Sequence, residues 1–145
     1  MHPAASQALF ENEVARLTPA LAQRRGWVFH NLAWPVIDCS FTAPRRTTLR
    51  LQLHCDDWND QPPSISLLNA DCSNLTRNLV NPTNVFNMSA HPATGRSFVC
   101  MAGSREYHTH PSHVTDHWAG YKDRASHDLG GILTQLWHAW LKGND

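Results

Sequence analysis

Charge is scarce in this chain. Asp, Glu, Lys and Arg together make up 17% of its 145 residues, against about a quarter in an ordinary soluble domain. Twelve basic residues balance twelve acidic ones, and no stripe of Lys and Arg runs along any segment. That excludes nucleic acid as the main partner. No stretch approaches the roughly 18 apolar residues of a membrane span. The opening MHPAASQALFENEVARL has no basic leader followed by an apolar run, so it does not read as a secretion signal. We therefore expect a cytoplasmic protein with no membrane partner. Cys39, Cys55, Cys72 and Cys100 show no CxxC spacing, and without a secretion signal they read as free thiols. Repeats and low-complexity tracts are also missing, so a single domain over residues 1–145 is expected, large enough to bury a core.

What is present is periodic. Leu9, Phe10, Glu13, Val14, Leu17 and Leu21 recur at helical spacing over residues 5–25, with Arg24-Arg25-Gly26 as the stop and Pro19 as a kink or an early end. From Trp27 the period changes to two. Ile37, Cys39 and Phe41 alternate with Asp38 and Ser40, and Leu49, Leu51, Leu53 and Cys55 with Arg50, Gln52 and His54. A turn at Ala43-Pro44-Arg45-Arg46 separates these runs, and SISLLN (64–69) resumes the pattern. An antiparallel meander with one wet face follows. Residues 70–97 read as loop, SFVCM as a short last strand, and Ile132, Leu133, Leu136, Trp137, Trp140 and Leu141 as a helix starting near Ser126 or Asp128. The order argues α+β, with helices on one side of an antiparallel sheet.

Histidine is the abundant residue, ten in all, and five lie in HPATGRSFVCMAGSREYHTHPSHVTDHW (91–118) beside Cys100 and Glu106. Two chemistries suit that mixture. Cys100, Glu106, His108, His110 and His113 are all acceptable zinc ligands, and in an extended segment His108 and His110 would share a face. Alternatively Cys100 is a nucleophile whose thiolate fraction is raised by nearby imidazoles. Cys39 and Cys55, on apolar strand faces, read as core. HTHP resembles the His-x-His pair of JAB/MPN-type metallopeptidases, but Trp118 and Tyr121 stand where that pattern has serine and aspartate, so that reading is set aside.

HPATGRSFVCM resembles the active-site segment of ubiquitin-conjugating enzymes through His91-Pro92, Gly95-Arg96 and Cys100, and QPPSISLLN resembles their proline-containing strand. Divergent bacterial members of this family resemble the chain more closely. They are encoded with ubiquitin-like proteins and activating enzymes in systems linked to antiphage defence, and one group is described as a Cys-Glu-His-His predicted metal-binding domain. The resemblance implies a UBC-like α+β fold: N-terminal helix, four-stranded antiparallel meander, active-site loop and C-terminal helix. Ala93 stands in place of the family's asparagine and His91 is one residue closer to the cysteine than usual; one C-terminal helix is expected, without counterparts of the family's last helices.

The activity so implied is transfer of a ubiquitin-like protein, received from an activating enzyme as a thioester on Cys100. His108, His110 and Glu106 are the candidate helpers, with Asn84 or Asn87 as further candidates for the oxyanion donor. His91 and Pro92 would hold the loop. Glu11, Glu13, Arg16, Gln23 and Arg24 form a candidate surface for the activating enzyme. No cofactor is needed on this reading. Two alternatives share the fold: a zinc-binding domain using Cys100, Glu106, His108, His110 and His113, and an inactive binding module.

Overall fold

A computed structural model describes residues 1–143. The N-terminal segment forms two helices where the apolar stripe suggested one. Helix α1 (Pro3–Val14) starts with proline at its first turn, where the missing N–H costs nothing, and His2 Nδ1 accepts from the Ala4 N–H at 3.1 Å. Helix α2 (Pro19–Arg25) begins at Pro19 itself, capped by Thr18 Oγ1 on the Leu21 N–H at 3.2 Å. Proline thus starts a second helix here. Gly26 closes α2 in the left-handed region at φ 70°, the conformation the Arg-Arg-Gly stop implied.

Four strands follow in a meander: β1 (Trp27–Asn31), β2 (Val36–Phe41), β3 (Leu49–His54) and β4 (Ser64–Leu68), with every neighbouring pair antiparallel and β4 at the edge. Alternation puts Ile37, Cys39, Phe41, Leu49, Leu51 and Leu53 on the covered face, each with no exposed surface. The opposite face is less wet than the pattern suggested. Asp38 and Ser40 on the central β2 are buried, because long neighbours reach across them. Arg50 forks onto Asp38 with Nε and Nη2 each at 2.8 Å, Gln52 adds a third bond at 3.1 Å, and His30 meets Ser40 at 2.8 Å.

Residues 70–97 are mostly loop, as expected. Two-residue strands β5 (Phe86–Asn87) and β6 (Phe98–Val99) pair within and beyond it. Helix α3 (Arg105–Thr109) and short 3-10 turns at Trp118–Gly120 and Ala125–His127 lead to α4 (Leu129–Leu141). Asp128 caps α4 through the Gly131 N–H, at 2.6 Å. Leu129, Ile132, Leu133, Leu136 and Trp140 of α4 meet Phe10, Leu17, Phe41 and the β3 leucines in one core cluster. This is an α+β fold with an N-terminal helical pair, a four-stranded antiparallel sheet and a C-terminal helix. Among the described residues no helix is long and apolar enough to cross a membrane.

The surface proposed on α1 and α2 needs one correction. Glu11, Arg16, Gln23 and Arg24 are exposed, but Glu13 is buried. Its carboxylate accepts from Trp58 Nε1 at 2.7 Å and from the Leu129 N–H at 2.8 Å, tying α1 to the start of α4 and to the Trp58 turn. A Glu at the helical spacing of the apolar stripe points inward with it, and here two N–H donors receive it.

Candidate functional site

Cys100 follows β6 directly and is half-buried, while Cys39 and Cys55 are fully buried and Cys72 is exposed; none of the four is in a disulfide. The Cys100 N–H donates to the Val85 carbonyl at 2.6 Å, which fastens the cysteine backbone to the loop carrying Asn84 and Asn87. Asn84 is exposed beside this contact at φ 58°, and Asn87 Oδ1 accepts from the Ser89 N–H at 2.9 Å.

The thiol has one imidazole within reach. Cys100 Sγ lies 3.7 Å from His113 Nε2. Nearby imidazoles were expected to raise the thiolate fraction, but burial pushes the Cys100 thiol up from its ordinary value. At rest the sulfur therefore holds its proton beside a ring nitrogen. Burial acts more strongly on Cys39, pushed up to about 12, and raises Cys55 further still.

The His113 ring is set by stacking. It lies flat on Tyr107, with centroids 4.3 Å apart and planes 14° from parallel. Tyr107 is held in turn, its hydroxyl donating to Asp116 Oδ2 at 2.6 Å, while the Tyr121 hydroxyl donates to the same oxygen at 2.8 Å. These two hydroxyls hold the Asp116 carboxyl below its ordinary range, and the bond to Asp116 pushes Tyr107 up to about 12. Cys100, His113, Tyr107 and Asp116 thus form a chain of contacts from sulfur to carboxylate.

The other expected residues make contacts of their own. Residues 105–109 are helical, not extended, so His108 and His110 do not share a face. The Ser104 hydroxyl starts that helix by capping the Tyr107 N–H at 3.1 Å and donates to the Val99 carbonyl at 2.6 Å. His108 uses both ring nitrogens: Nδ1–H donates to the Asp116 carbonyl at 2.7 Å and Nε2 accepts from the Gly103 N–H at 3.1 Å. His110 stacks on Phe98 at 5.5 Å, and its Nδ1 accepts from the Ser112 N–H at 3.1 Å. Glu106 is buried against β4, accepting from the Ser64 hydroxyl at 2.6 Å and the Ile65 N–H at 2.7 Å. His91 is buried too; its Nδ1 accepts from the Ala93 N–H at 3.0 Å and its Nε2–H donates to the Glu106 carbonyl at 2.9 Å. Pro92 is exposed on the turn that His91 closes.

These bonds bear on the zinc alternative. Both Glu106 oxygens and both His108 nitrogens are engaged by protein groups, and His110 is turned onto Phe98. Cys100 and His113 remain together, two donors where zinc takes four. Among the described residues no group of three His, Cys, Asp or Glu side chains is placed to hold a metal ion.

A family model described as Y4jH-like, Y4jH family, matches residues 71–143, half of the chain. The chain belongs to the Y4jH-like family. The matched part begins after β4 and contains every member of the Cys100 site: β5, β6, α3, the histidine-rich turns and α4. No curated protein matches the chain.

Tyr107, Asp116 and Tyr121 escaped the sequence reading. Their spacing has no motif, and only the fold of residues 104–121 closes them on His113. The one signal was an aspartate within a run of imidazoles and aromatics, Tyr107 to Trp118.

Proposed function

We propose that Cys100 is an acyl-carrying nucleophile that accepts the C-terminus of a ubiquitin-like protein as a thioester and passes it to an acceptor. The observation that carries this reading is the 3.7 Å contact between Cys100 Sγ and His113 Nε2 on a half-buried, unpaired thiol. A thiol raised by burial is a poor nucleophile until a base takes its proton, and His113 is the ring in position to do so. The resemblance of His91-Pro92, Gly95-Arg96 and Cys100 to the ubiquitin-conjugating segment supports the choice of acyl group. So does the order of elements, a helical N-terminus, a four-stranded meander, the cysteine loop and a C-terminal helix.

In the first step the Cys100 thiol gives its proton to His113, and the sulfur attacks the thioester carbonyl presented by an activating enzyme. The new C–S bond forms as the donor's C–S bond breaks, and the donor thiolate leaves. In the second step an incoming nucleophile attacks the Cys100 thioester and the Cys100 sulfur departs, taking a proton. Asn84, exposed next to the Val85–Cys100 contact, is the candidate to steady the oxyanion in place of the family's asparagine. Glu106 and His108 position the loop and His91 holds its turn; none of the three is assigned a proton. No cofactor enters.

The test is charging in vitro with a ubiquitin-like protein and its activating enzyme from the source genome. A reducible adduct on wild type, absent in Cys100→Ala, is the expected result. An adduct that survives in Cys100→Ala assigns the carrier elsewhere and ends this reading.

A further inference from the structure

An open cleft lies away from Cys100. It has a volume of about 400 Å³ and runs between β4, the segment Asn74–Thr76 and the turn Thr94–Ser97. Cys100 and His113 do not line it, so its use is independent of the acyl-carrier reading.

One wall is the outer edge of the sheet. β4 pairs along its length with β3, and on its other side it is met by backbone only at its end, where Leu68 bridges Asn74 and the Asn69 N–H donates to the Ser73 carbonyl at 2.9 Å. In an antiparallel strand alternate residues turn their backbone groups away from the partner, and here Ile65 and Leu67 do so. The Ile65 N–H is taken by Glu106 Oε1 at 2.7 Å, and the Leu67 carbonyl by the Leu75 N–H at 3.3 Å. The other two outward groups, the Ile65 carbonyl and the Leu67 N–H, take no hydrogen bond from the described residues, and both residues line the cleft. Together they form one acceptor and one donor on a strand edge, the pair that one residue of an added strand satisfies.

The remaining walls say which chain fits. Leu75 and Met88 give an apolar floor, and Ser66, Thr76, Thr94 and Ser97 supply hydroxyls. Arg96 is exposed and is the cleft's one cation among its lining residues; Glu106 is the one anion, with both oxygens already engaged. An acidic side chain is therefore favoured over Arg96 and disfavoured beside Glu106, which orients the occupant along the edge.

We propose that this cleft docks an extended polypeptide segment, added as a short strand to the β4 edge, with apolar residues on Leu75 and Met88 and an acidic residue on Arg96. Strand addition explains why the edge retains a donor and an acceptor at its middle while its flanking groups are closed by Glu106 and Leu75. A long, fully open edge would invite indiscriminate pairing.

The experiment selects a phage-displayed random heptapeptide library against the full chain and synthesises the enriched peptide. Enriched sequences should carry an acidic residue next to β-branched or other apolar ones, and titration should move the amide resonances of Ile65 and Leu67. Arg96→Glu, on an exposed turn, should weaken the peptide by about tenfold or more, as losing a charge-assisted bond does. N-methylation should weaken binding by a similar factor at alternate peptide positions only, the signature of a strand. Absence of enrichment overturns the proposal. So does binding indifferent to Arg96→Glu and to N-methylation at both parities, which would mark a side-chain-only contact.

Discussion

The Cys100 thiol and the His113 ring make their pair without help from a charge. Burial alone raises the thiol, so alkylation of Cys100 should be slow at neutral pH and climb as pH passes the ordinary thiol range of about 8–9. Exposed Cys72 should react first, and Cys39 and Cys55 only when the protein unfolds; mass spectrometry of iodoacetamide-treated protein across pH ranks all four. Fast neutral alkylation of Cys100 would instead mean a thiolate already formed. His113→Phe preserves an aromatic ring on Tyr107 and deletes the nitrogen. Transfer through Cys100 should then slow by about 10²-fold, the usual worth of a general base, with the melting curve near that of wild type. A similar loss in Tyr107→Phe with a shifted pH–rate profile would place the Asp116 bond in the positioning of His113.

Helix α3 is five residues long, too short to hold itself, and it is held from outside. Ser104 ties its start to β6, and Glu106 ties its first turn to β4. Glu106→Ala leaves the half-buried Ser64 hydroxyl and the buried Ile65 N–H without their acceptor, about 1–3 kcal/mol for the buried N–H and less for the hydroxyl, which water can reach. The denaturation midpoint should fall and Cys100 should become more reactive, because the segment after it loosens. A change in transfer rate with an unchanged midpoint would make Glu106 a participant in the chemistry instead. For the zinc alternative the check is mass: native spectra of the purified chain should be the same before and after chelation, and a lost ion per chain would contradict the donor arrangement at α3.

Two buried carboxylates give the whole molecule opposite pH dependences. Asp38 lies below its ordinary 3.8, held chiefly by the Arg50 fork. Its contribution is present above that value and is lost as pH falls through the folded pKa. Glu13 lies above its ordinary 4.5 because burial disfavours its charge, outweighing the Leu129 and Trp58 bonds. Its contribution is present at low pH and is lost as pH rises through the folded pKa. Denaturation midpoints measured from pH 3 to 7 should show both limbs, roughly bounded by these ordinary carboxylate values. Asp38→Asn should remove the acid limb, and Glu13→Gln the decline above it. A decline unchanged in Glu13→Gln would assign it to other groups.

Much of this fold could be read from period and punctuation alone. Alternation set β2, β3 and β4, the 3.6-residue stripe and Asp128 set α4, and Arg-Arg-Gly set the end of α2, because each signal depends on residues a few positions apart. The same local rules put Cys39 and Cys55 in the core, while the holding role of His91 was implied by the resemblance of its segment. They could not divide the histidines. Whether His108, His110 or His113 faces Cys100 depends on the short helix at Arg105–Thr109, which exists because β4 and β6 lie beside it to hold Glu106 and Ser104. The burial of Glu13, of Asp38 and of the cleft edge at Ile65 and Leu67 likewise arises from contacts tens of residues apart. Sequence alone determined which chemistry is available, a thiol among imidazoles. Only the tertiary structure decided which imidazole meets the thiol, since that choice depends on packing between segments that no local pattern links.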